Sequence, residues 1–358
     1  MSYEHQLPRR SGAAMADTPW GLTRCGGFAH EPDCVQGNEV DIWNDDTADW
    51  AERRLGGSGA PFRRAWHSAT FCPILGEVVI FGGQSSSGAC LGDIWHIDVA
   101  TDPPTAARFI DVKRRARSHH AAAWCEHESR IVVAGGISDT GKYLDDIAFF
   151  DVTSGAWTPL AFSLPRPLKS PSLSTAPPRP GESASTLFCV GGEPAPRVVF
   201  PGCVWTASLG AAPNWHNVAE LTRGAPLSGA TTFATSEGLF VAGGRTPAGG
   251  RPTSERLRSA LPAVAAKMWT LDRGTGLWQC HRLETTASSV AFTGTFRGRL
   301  EIFEAETGIK TPCPASDAGV QPEQPGQRGE VGRHPFFDTP PAPPDPKTDC
   351  HPGRAEPE

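Results

Sequence analysis

The chain repeats one alternation of apolar and polar stretches. Val78-Val-Ile-Phe81, Ile131-Val-Val-Ala134, Leu187-Phe-Cys-Val190 and Leu239-Phe-Val-Ala242 each end in a glycine pair: Gly82-Gly83, Gly135-Gly136, Gly191-Gly192 and Gly243-Gly244. A polar loop follows, then an aromatic residue, then a tryptophan. A weaker copy comes first, with Gly21-Leu-Thr-Arg-Cys25 before Gly26-Gly27 and then Trp43 and Trp50. The pairs start at 26, 82, 135, 191 and 243, giving steps of 56, 53, 56 and 52 residues. A period near fifty predicts a repeat architecture.

Within each unit the pattern predicts four strands. Strand a is rich in small residues and follows a basic residue in Arg10-Ser-Gly-Ala-Ala14, Arg64-Ala-Trp-His-Ser-Ala-Thr70, Arg117-Ser-His-His-Ala121 and Lys169-Ser-Pro-Ser172. Small side chains suit a strand crowded near an axis. Strand b is the apolar run, with the period of a strand buried on both faces. The glycine pair marks positive φ or a close backbone approach. Strands c and d carry the aromatic residue and the tryptophan. One such sheet cannot bury both faces alone, so copies must stack, and radial stacking of four-stranded sheets is a β-propeller.

The order of apolar run, glycine pair, aromatic, aspartate and, six residues later, tryptophan resembles the kelch repeat; Asp151 to Trp157 and Asp272 to Trp278 keep that last spacing. The resemblance implies an all-β propeller in which Trp50, Trp157, Trp215 and Trp278 pack between blades. It covers residues 9–303 as five full units and a partial sixth, which implies either six blades with an irregular last one or a shortened form of a longer propeller. In the sixth unit Glu304-Ala305 replaces the glycine pair, and no third or fourth strand is read after it. Residues 1–8 read as a tail, with no adaptor domain before the ring. Residues 304–358 read as a proline-rich disordered tail, with 12 prolines after residue 310.

Composition narrows the function. The chain has 39% hydrophobic and 20% charged residues and a formal charge of -6, which disfavours bulk attraction to nucleic acid or an anionic membrane. No run approaches the roughly eighteen apolar residues of a membrane span, and no signal peptide is read, so the expected location is cytoplasmic or nuclear. The 10 cysteines show no CxxC pair and read as reduced thiols.

Candidate chemistry falls on the long loops after strands b and d, which leave from one face. Arg10, Arg64, Arg117 and Lys169 would ring the channel mouth there. Lys113, Arg114 and Arg115 lie nearby, and Arg245, Arg251, Arg256 and Arg258 sit on an insertion in the fifth unit. Forked guanidinium donors suit an acidic or phosphorylated protein or peptide. The expected function is a non-enzymatic interaction scaffold with no cofactor and no metal. The alternative is an enzyme acting on a small molecule at the mouth. Galactose-oxidase-like relatives of the fold use tyrosines at a copper site, and this chain has only Tyr3 and Tyr143. His67, His119 and His120 near the mouth read as packed histidines.

Overall fold

A computed structural model describes residues 10–29, 39–57, 61, 63–111, 115–196, 203–210, 214–220, 228–244, 267–275, 277–282, 290–293, 300–304 and 310–313. The chain divides into two compact units, Met1–Pro322 and Glu323–Glu358, and all of the described residues belong to the first.

The predicted strands form, and they make small antiparallel sheets in the order a-b-c-d. Blade 1 comprises Ala14–Thr18, Gly21–Cys25, Glu39–Asn44 and Asp49–Arg54; blade 2 comprises Ser68–Cys72, Glu77–Phe81, Asp93–Asp98 and Thr105–Asp111. Blade 3 comprises Ala121–Cys125, Arg130–Ala134, Ile147–Phe150 and Trp157–Pro159; blade 4 comprises Ser172–Ala176, Thr186–Val190, Cys203–Ser208 and His216–Glu220. Blade 5 comprises Thr231–Ala234, Gly238–Ala242, Lys267–Asp272 and Trp278–Arg282. Blade 6 has three described strands, Val290–Thr293, Glu301–Glu304 and Lys310–Pro312.

The a strands adjoin one another in cyclic order, blade 6 returning to blade 1, so the ring closes. Small hydroxyl residues hold them together. Ser172 donates to the Ala230 carbonyl at 2.5 Å, Thr232 to Leu173 at 3.1 Å and Thr175 to Trp124 at 2.6 Å, each across a blade junction. The Ser, Thr and Ala content of strand a thus serves both crowding and cross-linking.

Tryptophans fill the junctions, as the resemblance implies. Trp50 and Trp43 pack on Phe303 of blade 6, with centroids at 5.6 and 4.8 Å. Trp157 packs on Phe81 of blade 2 at 5.1 Å, and Trp278 joins the core shared by blades 4 and 5. Trp215 packs on Phe162 and donates its indole N–H to the Ser163 carbonyl at 2.6 Å.

Two details depart from the sequence pattern. The polar strand b of blade 1 is wholly buried, because Asp41 on strand c faces Arg24 at 2.9 Å and offsets its charge. Blade 6 has a third strand after residue 303: Lys310–Pro312 pairs with strand b in antiparallel register. The sequence reading missed it, since Lys-Thr-Pro carries no apolar alternation; it gains its place from backbone pairing and from Cys313, which is buried behind it. The remainder of the proline-rich segment lies outside the described residues.

Candidate functional site

The glycine pairs shape the mouth of the channel. All five pairs have positive φ; Gly82 and Gly83 lie at 65° and 99°. A Cβ on Gly82 would fall 2.6 Å from the Arg117 carbonyl of the next blade, closer than real Cβ atoms come. The glycines therefore permit an inter-blade clamp. Gly27 donates to the Arg64 carbonyl at 2.8 Å, Gly83 to Arg117 at 2.9 Å and Gly136 to Leu168 at 2.8 Å.

A residue of left-handed backbone comes two residues after each of those carbonyls, at Trp66, His119 and Ser170, and blades 1 and 5 have one as well. Gly12, Trp66, His119, Ser170 and Gly229 have φ of 71°, 54°, 55°, 49° and 64°. They bond head to tail. Trp66 N–H donates to the Gly12 carbonyl, His119 to Trp66, Ser170 to His119 and Gly229 to Ser170, over 2.7 to 3.1 Å. This backbone chain links five blades around the mouth. Glycine suits such a position, whereas a residue with a Cβ costs about 1 kcal/mol or more there. Blades 2 and 3 nevertheless place large rings on it. Trp66 and His119 stack at 4.7 Å with planes 13° apart, and Phe28 meets Trp66 edge-on at 5.5 Å. All three side chains are partly exposed.

The predicted cationic ring is present but occupied. Arg64 is 2% exposed; its fork binds both oxygens of Asp93 at 2.8 Å and also the Gly82 carbonyl at 2.9 Å. Arg117 repeats this with Asp146, at 2.9 and 2.7 Å, and with the Gly135 carbonyl at 3.1 Å. Arg10 lies 3.0 Å from Asp41. These guanidiniums brace the start of strand c by binding its carboxylates. In both blades 2 and 3 the acid lies 29 positions after the arginine. That constant spacing was the sequence signal for a structural pair.

Lys169 is displaced by one residue from this series. Leu168, not Lys169, supplies the clamp carbonyl in blade 4, while Lys169 pairs with Glu193 at 3.4 Å. Aligning by charge slid the register; the left-handed residue sets it. Arg115 lies on the Trp157 ring at 4.7 Å and 4.0 Å from Asp146, with its side chain 21% exposed. Arg63 is exposed beside Arg64. Lys113, Arg114, Arg245, Arg251, Arg256 and Arg258 lie outside the described residues.

The imidazoles of His67 and His120 are buried. Burial, reinforced by Arg64, pushes His67 down to about 3, and Asp93 opposes this only in part. Burial and then Arg117 hold His120 well below the usual imidazole range. Burial also raises Cys25 and Cys189 to about 12, so both are protonated, inert thiols. Among the described residues no cluster of three or more His, Cys, Asp or Glu side chains could hold a metal, and no helix is long and apolar enough to cross a membrane. The opposite face is tied down where its one long a-to-b loop runs: Arg179 donates to the Arg273 carbonyl at 2.7 Å, and Ser185 donates to Glu128 at 2.6 Å.

Four-stranded blades, glycine clamps and inter-blade tryptophans define a kelch-type β-propeller. Residues 22–244 match the model of the KLHDC2/KLHL20/DRC7 Kelch-repeats domain, and the chain belongs to the kelch-repeat family. It is 27% identical over 217 residues to acyl-CoA-binding domain-containing protein 4 of Arabidopsis thaliana, a match that takes in 59% of this chain and 29% of that protein. The chain thus spans under a third of that relative's length. The solved structure of YjhT superposes with a TM-score of 0.59 at 14% identity, covering 83% of this chain and 90% of YjhT, a likeness of fold alone. It corrects the expectation that this chain is not an enzyme. A fold shared at this identity gives no ground for excluding catalysis.

Proposed function

We propose that the kelch ring docks a protein or peptide on the face formed by its b-to-c and d-to-a loops, and that the docked segment carries acidic or phosphorylated residues. The observation that carries this reading is the placement of Trp66 and His119. Both keep large rings at left-handed positions that blades 1 and 5 fill with glycine, and strain retained at one place in a repeat points to use. Aromatic side chains at the centre of a rigid face are the usual anchors of a protein interface. Acid preference moves from the buried ring to its rim, where Arg63 is exposed and Arg115 is shelved on Trp157.

The test is fluorescence anisotropy with a labelled acidic peptide library and its Gln/Asn counterpart, at low and high salt. Trp66→Ala weakens the selected peptides tenfold or more at either salt. Arg63→Glu with Arg115→Glu weakens acidic peptides chiefly at low salt, as expected for exposed charges. Affinity unchanged in both variants overturns the reading.

A further inference from the structure

The face opposite the mouth is unequally furnished. Its central turns are the a-to-b connections, and in blades 3 and 5 these are polar: Glu126-His127-Glu128-Ser129 and Thr235-Ser236-Glu237. Blade 4 sends its long connection across its neighbours, to Glu128 of blade 3 and the Arg273 carbonyl of blade 5. Blades 1 and 2 instead carry a proline followed by a large apolar side chain, Pro19-Trp20 and Pro73-Ile74. Trp20 is 41% exposed and Ile74 is 52% exposed. Of the 11 tryptophans, all of them described, Trp20 alone is exposed; the others are buried or half-buried.

The two side chains are held stiffly in one patch. Trp20 meets Phe71 of blade 2 edge-on at 6.1 Å, and a Cβ on Gly76 would stand 3.9 Å from its ring, so the indole lies over the turn that carries Ile74. Pro19 fixes its own φ. Thr18 donates its hydroxyl to the Gly21 carbonyl at 2.6 Å, and the Trp20 N–H donates to the Thr18 hydroxyl at 3.3 Å. In blade 2 the Gly76 N–H closes its turn onto the Cys72 carbonyl at 2.9 Å. Turns tied in this way place both side chains before a partner arrives, which lowers the entropic cost of docking. An exposed aromatic beside an exposed aliphatic side chain, on fixed turns of a rigid ring, has the make-up of an interface anchor.

Charge selects the occupant. Burial pushes the Cys72 thiol up to about 11, and Glu77 and Glu126 add to that effect, so both carboxylates stand close to the Ile74 turn. Glu126 is exposed and accepts the Trp124 indole N–H at 2.6 Å; Glu77 is partly exposed and lies 2.8 Å from His96. Asp17 sits on strand a just before the Trp20 turn, and the c-to-d turn of blade 1 adds Asp45 and Asp46. The a-to-b turns of blades 1, 2 and 3 contain no lysine or arginine. Arg130, where the third of them ends, lies 3.9 Å from Asp151, and Lys310 is paired with Asp45. The patch is apolar at its centre and acidic around it, which repels an acidic segment and attracts a basic one.

We propose that the a-to-b turns of blades 1 and 2 form a second docking surface, whose occupant is a lysine- or arginine-bearing segment of a partner protein with one aliphatic or aromatic anchor. The anchor packs on Trp20 and Ile74, and its basic neighbours meet Glu77 and Glu126. This surface lies on the other face of the ring from the aromatic mouth, and neither reading depends on the other.

The test is fluorescence anisotropy of labelled decapeptides added to the full chain, from a library that sets one Leu, Ile or Phe among Lys, Arg, Gly and Ser. A matched library replaces the basic residues with Gln. Basic peptides with an anchor are selected, and their Gln counterparts bind at least tenfold more weakly at low salt. Trp20→Ser and Ile74→Ser each weaken the selected peptides tenfold or more at low and high salt, whereas Glu126→Lys acts chiefly at low salt. Ile74→Ser keeps the result readable should Trp20→Ser disturb the packing on Phe71. Trp66→Ala, on the opposite face, leaves the binding of these peptides unchanged. No selected basic peptide, equal affinity for the Gln counterparts, affinity unchanged in both Trp20→Ser and Ile74→Ser, or an equal loss in Trp66→Ala overturns the proposal. A concentration-dependent doubling of mass that Ile74→Ser abolishes overturns it as well, since the occupant is then a second copy of the chain.

Discussion

Arg64 donates two parallel hydrogen bonds to Asp93, each 2.8 Å long, inside a site where both side chains are under 7% exposed. The pair holds the end of strand b to the start of strand c, because the same guanidinium also binds the Gly82 carbonyl. Removing one partner strands the other charge in the interior. Arg64→Ala is therefore expected to destabilise the ring by about 3–5 kcal/mol. Replacing both, as Arg64→Met with Asp93→Leu, recovers most of that loss. Urea unfolding of the single and double variants measures the difference.

Backbone geometry predicts unequal effects at two mouth positions. Gly83 has φ of 99°, and a Cβ there would fall 2.8 Å from the Cβ of His67. Gly83→Ala must lose both the left-handed conformation and the close approach, at a cost above about 1 kcal/mol. His119→Gly relaxes a left-handed residue instead and gives up its stack on Trp66. Thermal unfolding should show Gly83→Ala clearly lower in Tm and His119→Gly within a few degrees of the parent, since relief of strain and loss of the stack offset one another.

Repetition explains which features were legible in the sequence. The glycine pairs and the tryptophans recur at a near-constant period, so their structural role follows from spacing alone, and the structure keeps both in place. The partners of Arg64 and Arg117 did not stand out because a charge near a loop looks alike whether it is solvated or buried. The one signal in the sequence was the shared spacing of 29 positions to Asp93 and Asp146. The left-handed chain through Trp66, His119 and Ser170 was hidden for a different reason. Glycine announces positive φ, but tryptophan, histidine and serine do not. Strand c of blade 6 escaped notice because Lys310–Pro312 is held by pairing with its neighbour, without an apolar pattern of its own.

Acid should weaken the fold before the carboxylates titrate. His67 is pushed down to about 3 and His120 lies well below its ordinary value, both chiefly by burial. The unfolded chain binds protons at these imidazoles near pH 6.5, whereas the folded chain does not. Their contribution is complete above that pH and is lost as pH falls toward the folded values. Asp93 is also held below its usual range, and its share is lost only at lower pH, below about 4. Between pH 6.5 and 4.5 the stability measured by urea unfolding should fall with decreasing pH. His67→Phe should flatten that slope by up to one proton, and a slope unchanged in that variant would show that His67 titrates normally in the fold.

Closure of the ring rests on Phe303, which is fully buried between Trp43 and Trp50. Blade 6 is the one with only three described strands, so this aromatic contact supplies much of the apolar burial that joins it to blade 1. Phe303→Ala empties the space between two indoles and is expected to cost about 3–5 kcal/mol. Because a propeller joined at one seam unfolds from that seam, the loss should appear first in blades 1 and 6. Hydrogen exchange followed by mass spectrometry would then find protection reduced in Gly21–Cys25 and Glu301–Glu304 while Arg130–Ala134 in blade 3 stays protected. Uniform loss across all blades would show that the ring unfolds as one unit, with no special weakness where the chain closes.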